Sequence, residues 1–82
     1  MKRGITFHYA NLEKHLITSF EAEEAFFDGW NARRKDGSNF EVLGRTEEGR
    51  YLQLVVNVSP GEYFIFHGRD MNDSERRRYR RK

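Results

Sequence analysis

Three histidines, one lysine and two arginines carry most of the chemical potential of this 82-residue chain. Lys14 and His15 are adjacent. Arg50 opens one apolar run, and Arg69 closes the next, with His67 two residues before it. A guanidinium offers a planar fork of donors that matches a phosphate. Imidazole, with a pKa near 6.5, can take or give a proton at neutral pH. Two arginines at one end of a hairpin would form a phosphate cradle. The plain alternative is two surface arginines bonded to Glu47, Glu48 or Asp70, with His15 and His67 as packing residues.

Other chemistries are poorly provided for. There is no cysteine, so neither disulfides nor thiolate metal sites arise, and a reducing compartment fits. His8, His15 and His67 lack close metal-ligand spacing, so no metal and no cofactor is expected. Neither a Gly-rich phosphate loop nor a nucleophile elbow occurs.

The elements that must position these groups follow from periodicity and punctuation. Gly4–Tyr9 alternates Ile5, Phe7 and Tyr9 against polar residues, as a strand does. Leu12, His15 and Leu16 share one face of a short helix over Ala10–Ile17. Thr18 and Glu21 form a capping box for a second helix, which Asp28-Gly29 stops. Trp30–Lys35 and Phe40–Thr46 read as a hairpin across Asp36-Gly37, its first strand polar and near an edge. Tyr51–Val58 and Tyr63–His67 form the next hairpin across Ser59-Pro60-Gly61-Glu62, where Pro and Gly suit a type II turn. With Val58 opposite Tyr63, an unbroken ladder sets Arg69 opposite Leu52 and His67 opposite Leu54. Asn72 and Glu75 cap a last helix, which carries Tyr79 as an anchor and permits a Glu75–Arg78 ion pair. The order β-α-α-β-β-β-β-α predicts an α+β fold, an antiparallel meander of four to five strands with its helices on one side.

Length allows one domain, residues 1–82, with a frayed end at 80–82. Aromatics supply 15% of the chain and compensate for a low apolar share of 37%. No apolar run is long enough for a membrane span and no signal peptide is evident, so a soluble cytoplasmic protein is expected. Net charge is +2, but residues 74–82 hold six basic residues and one acid, whereas the first 73 hold nine and twelve. A basic end on an acidic body fits a polyanion partner, with Arg76, Arg77 and Arg80 on the backbone. It also fits a solvated helix end favoured by the macrodipole. Trp30 or Tyr63 could stack an unpaired base, but core packing is the commoner job of such residues.

The order of motifs resembles the BrnT-type ribonuclease toxins of bacterial toxin–antitoxin modules, relatives of the RelE fold. The residues concerned are Asn11-Leu12-Glu13-Lys14-His15 with the acidic helix to Phe27, then Gly44-Arg45-Thr46, Gly49-Arg50-Tyr51-Leu52, Gly68-Arg69, and Glu75-Arg76 with Tyr79. The likeness spans about Thr6 to Arg80. It departs at Phe64, where the family usually has an arginine, and at His67, where it usually has a small hydroxylated residue.

The resemblance implies a metal-independent ribonuclease. Arg50 and Arg69 would hold the phosphate, Lys14, His15 and His67 would move protons, and Arg76, Arg77, Tyr79 and Arg80 would bind RNA. It also implies a cognate antitoxin as partner, in a homodimer or a toxin–antitoxin hetero-oligomer. A non-catalytic binder of nucleic acid or antitoxin, and a purely structural interaction partner, remain as alternatives.

Overall fold

The computed structural model describes residues 4–29 and 32–80. Trp30, both as the start of the expected polar strand and as a stacking residue, lies outside them, as do Arg81 and Lys82. The element order is as expected: β1 (Gly4–Phe7), α1 (Tyr9–Lys14), α2 (Ser19–Asp28), β2 (Arg33–Asp36), β3 (Asn39–Arg45), β4 (Tyr51–Ser59), β5 (Glu62–Asp70) and α3 (Asp73–Arg80). The five strands form one sheet in the order β1-β5-β4-β3-β2. Strands β2 to β5 are the antiparallel meander. β1 joins β5 in parallel, Gly4 opposite Glu62 to Phe7 opposite Ile65, so the sheet is mixed.

Local chemistry sets most of the boundaries. Gly61 has φ +79, as the third position of a type II turn requires. At α2, Thr18 Oγ1 accepts from the Glu21 N–H at 3.0 Å, and Glu21 Oε1 accepts from the Thr18 N–H at 3.1 Å. Such a cap contributes about 1 kcal/mol. Asn72 and Glu75 repeat the arrangement at α3, at 3.0 and 2.8 Å.

α1 ends earlier than its periodicity suggests. Leu16 takes φ +57 and is 82% exposed. Its N–H donates to the Glu13 carbonyl, and that of Ile17 to the Leu12 carbonyl, the bonding of a Schellman turn. Ile17, not Leu16, therefore reaches the core beside Leu12.

The sheet has two differently covered faces. Strand alternation puts Leu52, Leu54 and Val56 of β4 on one face with Val42 of β3 and Ile65 of β5. There α1 and α2 cover them, through Leu12, Ile17, Ala22 and Ala25. Leu12, Leu52, Leu54, Val56 and Ile65 are at most 1% exposed, and each such burial is worth about 1.5–3 kcal/mol. Gly44 lets α2 touch the sheet: a Cβ there would lie 1.8 Å from the Ala25 carbonyl oxygen.

The opposite face carries Leu43, Gln53 and Val55. A smaller apolar cluster of Leu43, Met71 and Tyr79, with Tyr51 against it, holds α3 there. The helices thus lie on both faces, not one. α3 is short and its apolar side narrow, and the strand ends at Tyr51 and Leu43 are what it can bury.

Candidate functional site

A β-bulge decides where the chemical groups go. β5 runs in register with β4 from Ser59–Glu62 to Val56–Ile65, then skips Phe66, so that His67 faces Val55, Gly68 faces Leu54, Arg69 faces Gln53 and Asp70 faces Leu52. The unbroken ladder expected from sequence would have put His67 opposite Leu54 and Arg69 opposite Leu52. One extra residue moves every later side chain to the other face. Gly68 and Asp70 now point toward α1 and α2, and His67 and Arg69 toward the α3 face. A Cβ on Gly68 would come within 3.1–3.2 Å of Leu12, Leu54 and Ile17.

Arg50 and Arg69 consequently form no shared cradle. Arg50 Nε and Nη2 donate to the Asp70 carboxylate at 2.9 and 3.2 Å. Nη1 donates to the Leu16 carbonyl at 2.7 Å and to Glu21 Oε1 at 3.2 Å, and Nη2 also reaches the His15 carbonyl at 3.1 Å. All five N–H bonds of the guanidinium are engaged. Arg50 ties the ends of α1, α2 and β5 together, and no donor remains for a phosphate.

Arg69 lies on the other face. Its Nη1 and Nη2 each donate to Glu75 at 2.7 Å, and Nη1 also to the Asp70 carbonyl at 3.2 Å. The Nε–H and one Nη2–H are outside these bonds, and the side chain is 36% exposed. Below α3 the network continues: Glu41 accepts from Arg78 and from Gln53 Nε2. Arg78 therefore pairs with Glu41 rather than with Glu75, whose carboxylate Arg69 already holds.

The other expected proton carriers do converge. His15, at the C-cap of α1, meets His67 edge to face, with ring centroids 5.4 Å apart. Burial, and then the charges of His15, Arg69, Lys35 and Lys14, hold the His67 imidazole below its ordinary pKa of 6.5. A lowered pKa leaves this ring neutral at pH 7, with a free nitrogen lone pair that can accept a proton. Lys14, His15, His67 and Arg69 thus belong to one neighbourhood, which Arg50 borders through the His15 carbonyl but to which it brings no uncommitted N–H.

Beside them α3 leaves the sheet face uncovered. A groove of about 370 Å³ is lined by Asn11, Lys35, Asn39, Val55, Phe66 and His67 among others, within the range of small-ligand clefts, about 300–1,000 Å³. Lys35 was not singled out from sequence because WNARRK reads as a solvated edge. Phe66 was missed because nothing local announces a bulge, although the unbroken apolar run Tyr63-Phe64-Ile65-Phe66 breaks strand alternation just there.

The basic helix separates into different roles. Arg77 and Arg80 are exposed. The Arg76 guanidinium lies 4.5 Å over the Tyr51 ring, a cation–π contact. Tyr79 was expected at RNA, but it is 8% exposed and its hydroxyl donates to Asp28 Oδ2 at 2.7 Å. Asp28 also accepts from the Arg45 N–H at 2.7 Å on the open edge of β3. Tyr79 is a structural anchor.

No protein-family model and no curated protein sequence matches the chain. Among solved structures, the chain is similar to the ribonuclease toxin BrnT of Brucella abortus, known from a 1.1 Å crystal structure. The similarity covers 88% of this chain and 100% of that one, with a TM-score of 0.68 and 13% sequence identity. The chain has the BrnT-like α+β fold that its motif order suggested.

Proposed function

We propose that the chain is a ribonuclease toxin of a bacterial toxin–antitoxin module, cutting RNA by acid–base chemistry without a metal ion. The observation that supports this reading most is the His15–His67 contact, with Arg69, Lys14 and Lys35 around an imidazole whose pKa is lowered. In the proposed step, neutral His67 takes the proton of a ribose 2′-hydroxyl. The 2′-oxygen attacks phosphorus, the bond to the 5′-oxygen breaks, and that oxygen receives a proton from His15 or Lys14, leaving a 2′,3′-cyclic phosphate. The unused N–H donors of Arg69 stabilise the charge that builds on the phosphorane. Arg77 and Arg80 add backbone attraction without reading sequence.

The test is induced expression together with cleavage of RNA by purified protein. Growth arrest and RNA loss are expected for the wild type, and their disappearance in His67→Ala. Arg69→Lys, which keeps the charge opposite Glu75, should cut cleavage sharply while the protein stays folded. Intact RNA and normal growth with a folded wild type would refute the proposal.

A non-catalytic binding relative is the second reading. It is favoured by the complete engagement of the Arg50 N–H bonds and by Phe64 at the position where the resembled family has an arginine. RNA binding without cleavage would decide for it. In either case a partner protein has a place to add: β2, exposed at all four residues, is an edge of the sheet. A cognate antitoxin is the partner proposed.

A further inference from the structure

Two aromatic rings on the uncovered face have no evident structural task. Phe64 and Phe66 lie with ring centroids 6.0 Å apart and planes inclined by only 29°. Both are half-buried, and neither belongs to the apolar cluster under α1 and α2 or to the one under α3. The His8 imidazole stands 6.4 Å from Phe64 and extends the row. Across the sheet from Phe64 lie Asn57 and Asn39, the Asn57 amide donating to Asn39 Oδ1 at 2.9 Å. Phe66 lines the same groove as His67 and Lys35. Phe66 is the extra residue of the bulge and directly precedes His67 in the chain.

We propose that Phe64 and Phe66 are a stacking platform for unpaired bases, so that the strand presented to His67 and Arg69 is single-stranded RNA. The proposal rests on the ribonuclease reading for the identity of the polymer and deepens it by naming the form of RNA taken. Aromatic rings on a sheet stack bases whose faces are free, and an A-form duplex keeps those faces covered. Phosphates on either side of a base stacked on Phe66 would meet Lys35, which lines the groove together with Asp36, and Arg69 three residues further along β5. Stacking is tolerant of base identity, so the platform selects for absence of pairing rather than for sequence.

The experiment measures binding of a fluorescent mixed-sequence RNA, as a single strand and as a blunt duplex, by anisotropy over a range of salt. Melting of each variant is followed in parallel. The wild type should prefer the single strand. Phe66→Ala and Phe64→Ala should each weaken single-strand binding by about 5- to 150-fold with little change in melting. Phe66→Trp should retain it. The salt slope should be unchanged in Phe66→Ala and shallower in Lys35→Ala, because only the latter loses a phosphate contact. Wild-type affinity in a folded Phe64→Ala/Phe66→Ala protein, equal binding of duplex and single strand, or no RNA binding by the wild type would each overturn the proposal. Ring-dependent binding with no cleavage would leave the platform standing and remove the ribonuclease reading. Cleavage unaffected by loss of both rings would do the reverse.

Discussion

The Arg50 guanidinium and the Asp70 carboxylate meet fork to fork, Nε to Oδ1 at 2.9 Å and Nη2 to Oδ2 at 3.2 Å. The contact joins the start of β4 to the end of β5. The same guanidinium then satisfies the carbonyls of His15 and Leu16, which the end of α1 leaves without helical partners. A residue expected to serve chemistry serves assembly instead.

Replacing Arg50 by alanine should therefore cost stability before it costs function. Asp70, Glu21 and two carbonyls lose a charged donor together. Hydrogen bonds to charged groups are worth about 1.5–3 kcal/mol each when buried, and partial exposure reduces that. We expect a net loss of about 2 kcal/mol, a fall in Tm of about 8–16 °C for a domain of this size. Lysine should recover little, since it lacks the planar fork. Thermal melting of R50A and R50K checks this, and an unchanged Tm would refute it.

Acid should unfold the protein through two carboxylates. The hydrogen bond from Arg50 holds the Asp70 pKa below its ordinary 3.8, against a smaller opposing effect of burial. Burial raises that of Glu75, but Arg69 and the Asn72 N–H together outweigh it, so the net shift is downward from 4.5. A folded-state pKa below the unfolded one contributes stability that is full above the unfolded value and is lost as pH falls through the folded value. The share of the urea midpoint that these two carboxylates set should be flat from pH 7 to about 5, then decline below pH 4.5. Asp70→Asn should make that decline shallower, and a D70N acid limb as steep as the wild type's would contradict the assignment.

His67 should titrate below 6.5. Its desolvation and the neighbouring positive charges both oppose protonation. By linkage this ring's penalty is absent above pH 6.5 and grows as pH falls toward its folded pKa. Following the imidazole Cε1–H resonance by NMR against pH gives the midpoint directly. Removing a nearby charge with Lys35→Gln should move that midpoint upward. A midpoint above 6.5 would show the ring solvated or paired with an acid.

Much of this architecture was legible along the chain, and the reason is locality. Thr18 with Glu21, Asn72 with Glu75, and Pro60-Gly61 each act within four residues, so sequence alone placed the starts of α2 and α3 and the hairpin turn, whereas the His8 cap of α1, at the end of the expected strand Gly4–Tyr9, went unread. What escaped was decided at a distance. The parallel docking of Gly4–Phe7 on β5 depends on partners 58 residues away. α3 crosses to the other face because Leu43, Met71 and Tyr51 happen to meet there. In the site, the neighbourhood of Lys14, His15, His67 and Arg69 was expected, but the place of Arg50 in it was not. The difference lies in the single unpaired residue, Phe66.

The turn at Leu16 was hidden for another reason: a leucine gives no sign of a left-handed backbone. Glycine normally occupies such a position, and a side chain there costs roughly 1 kcal/mol. Leu16 is almost wholly exposed, so it contributes little burial in return. Leu16→Gly should raise stability by about 0.5–1 kcal/mol, or roughly 2–8 °C in Tm. Leu16→Ala should give no such gain, and a destabilised L16G would argue that the exposed side chain has partners of its own.

The bulge at Phe66 also makes the last portion of β5 unusually intolerant of changes in length. Losing or gaining one residue between Ile65 and Gly68 would not shorten a loop; it would turn the strand inside out. Asp70 would be carried away from Arg50, a histidine would be driven against Leu12 and Ile17, and the glycine that those side chains need would be spent on the solvent side. Substitutions can wander along this strand, but its residue count is fixed by the two surfaces it must serve at once.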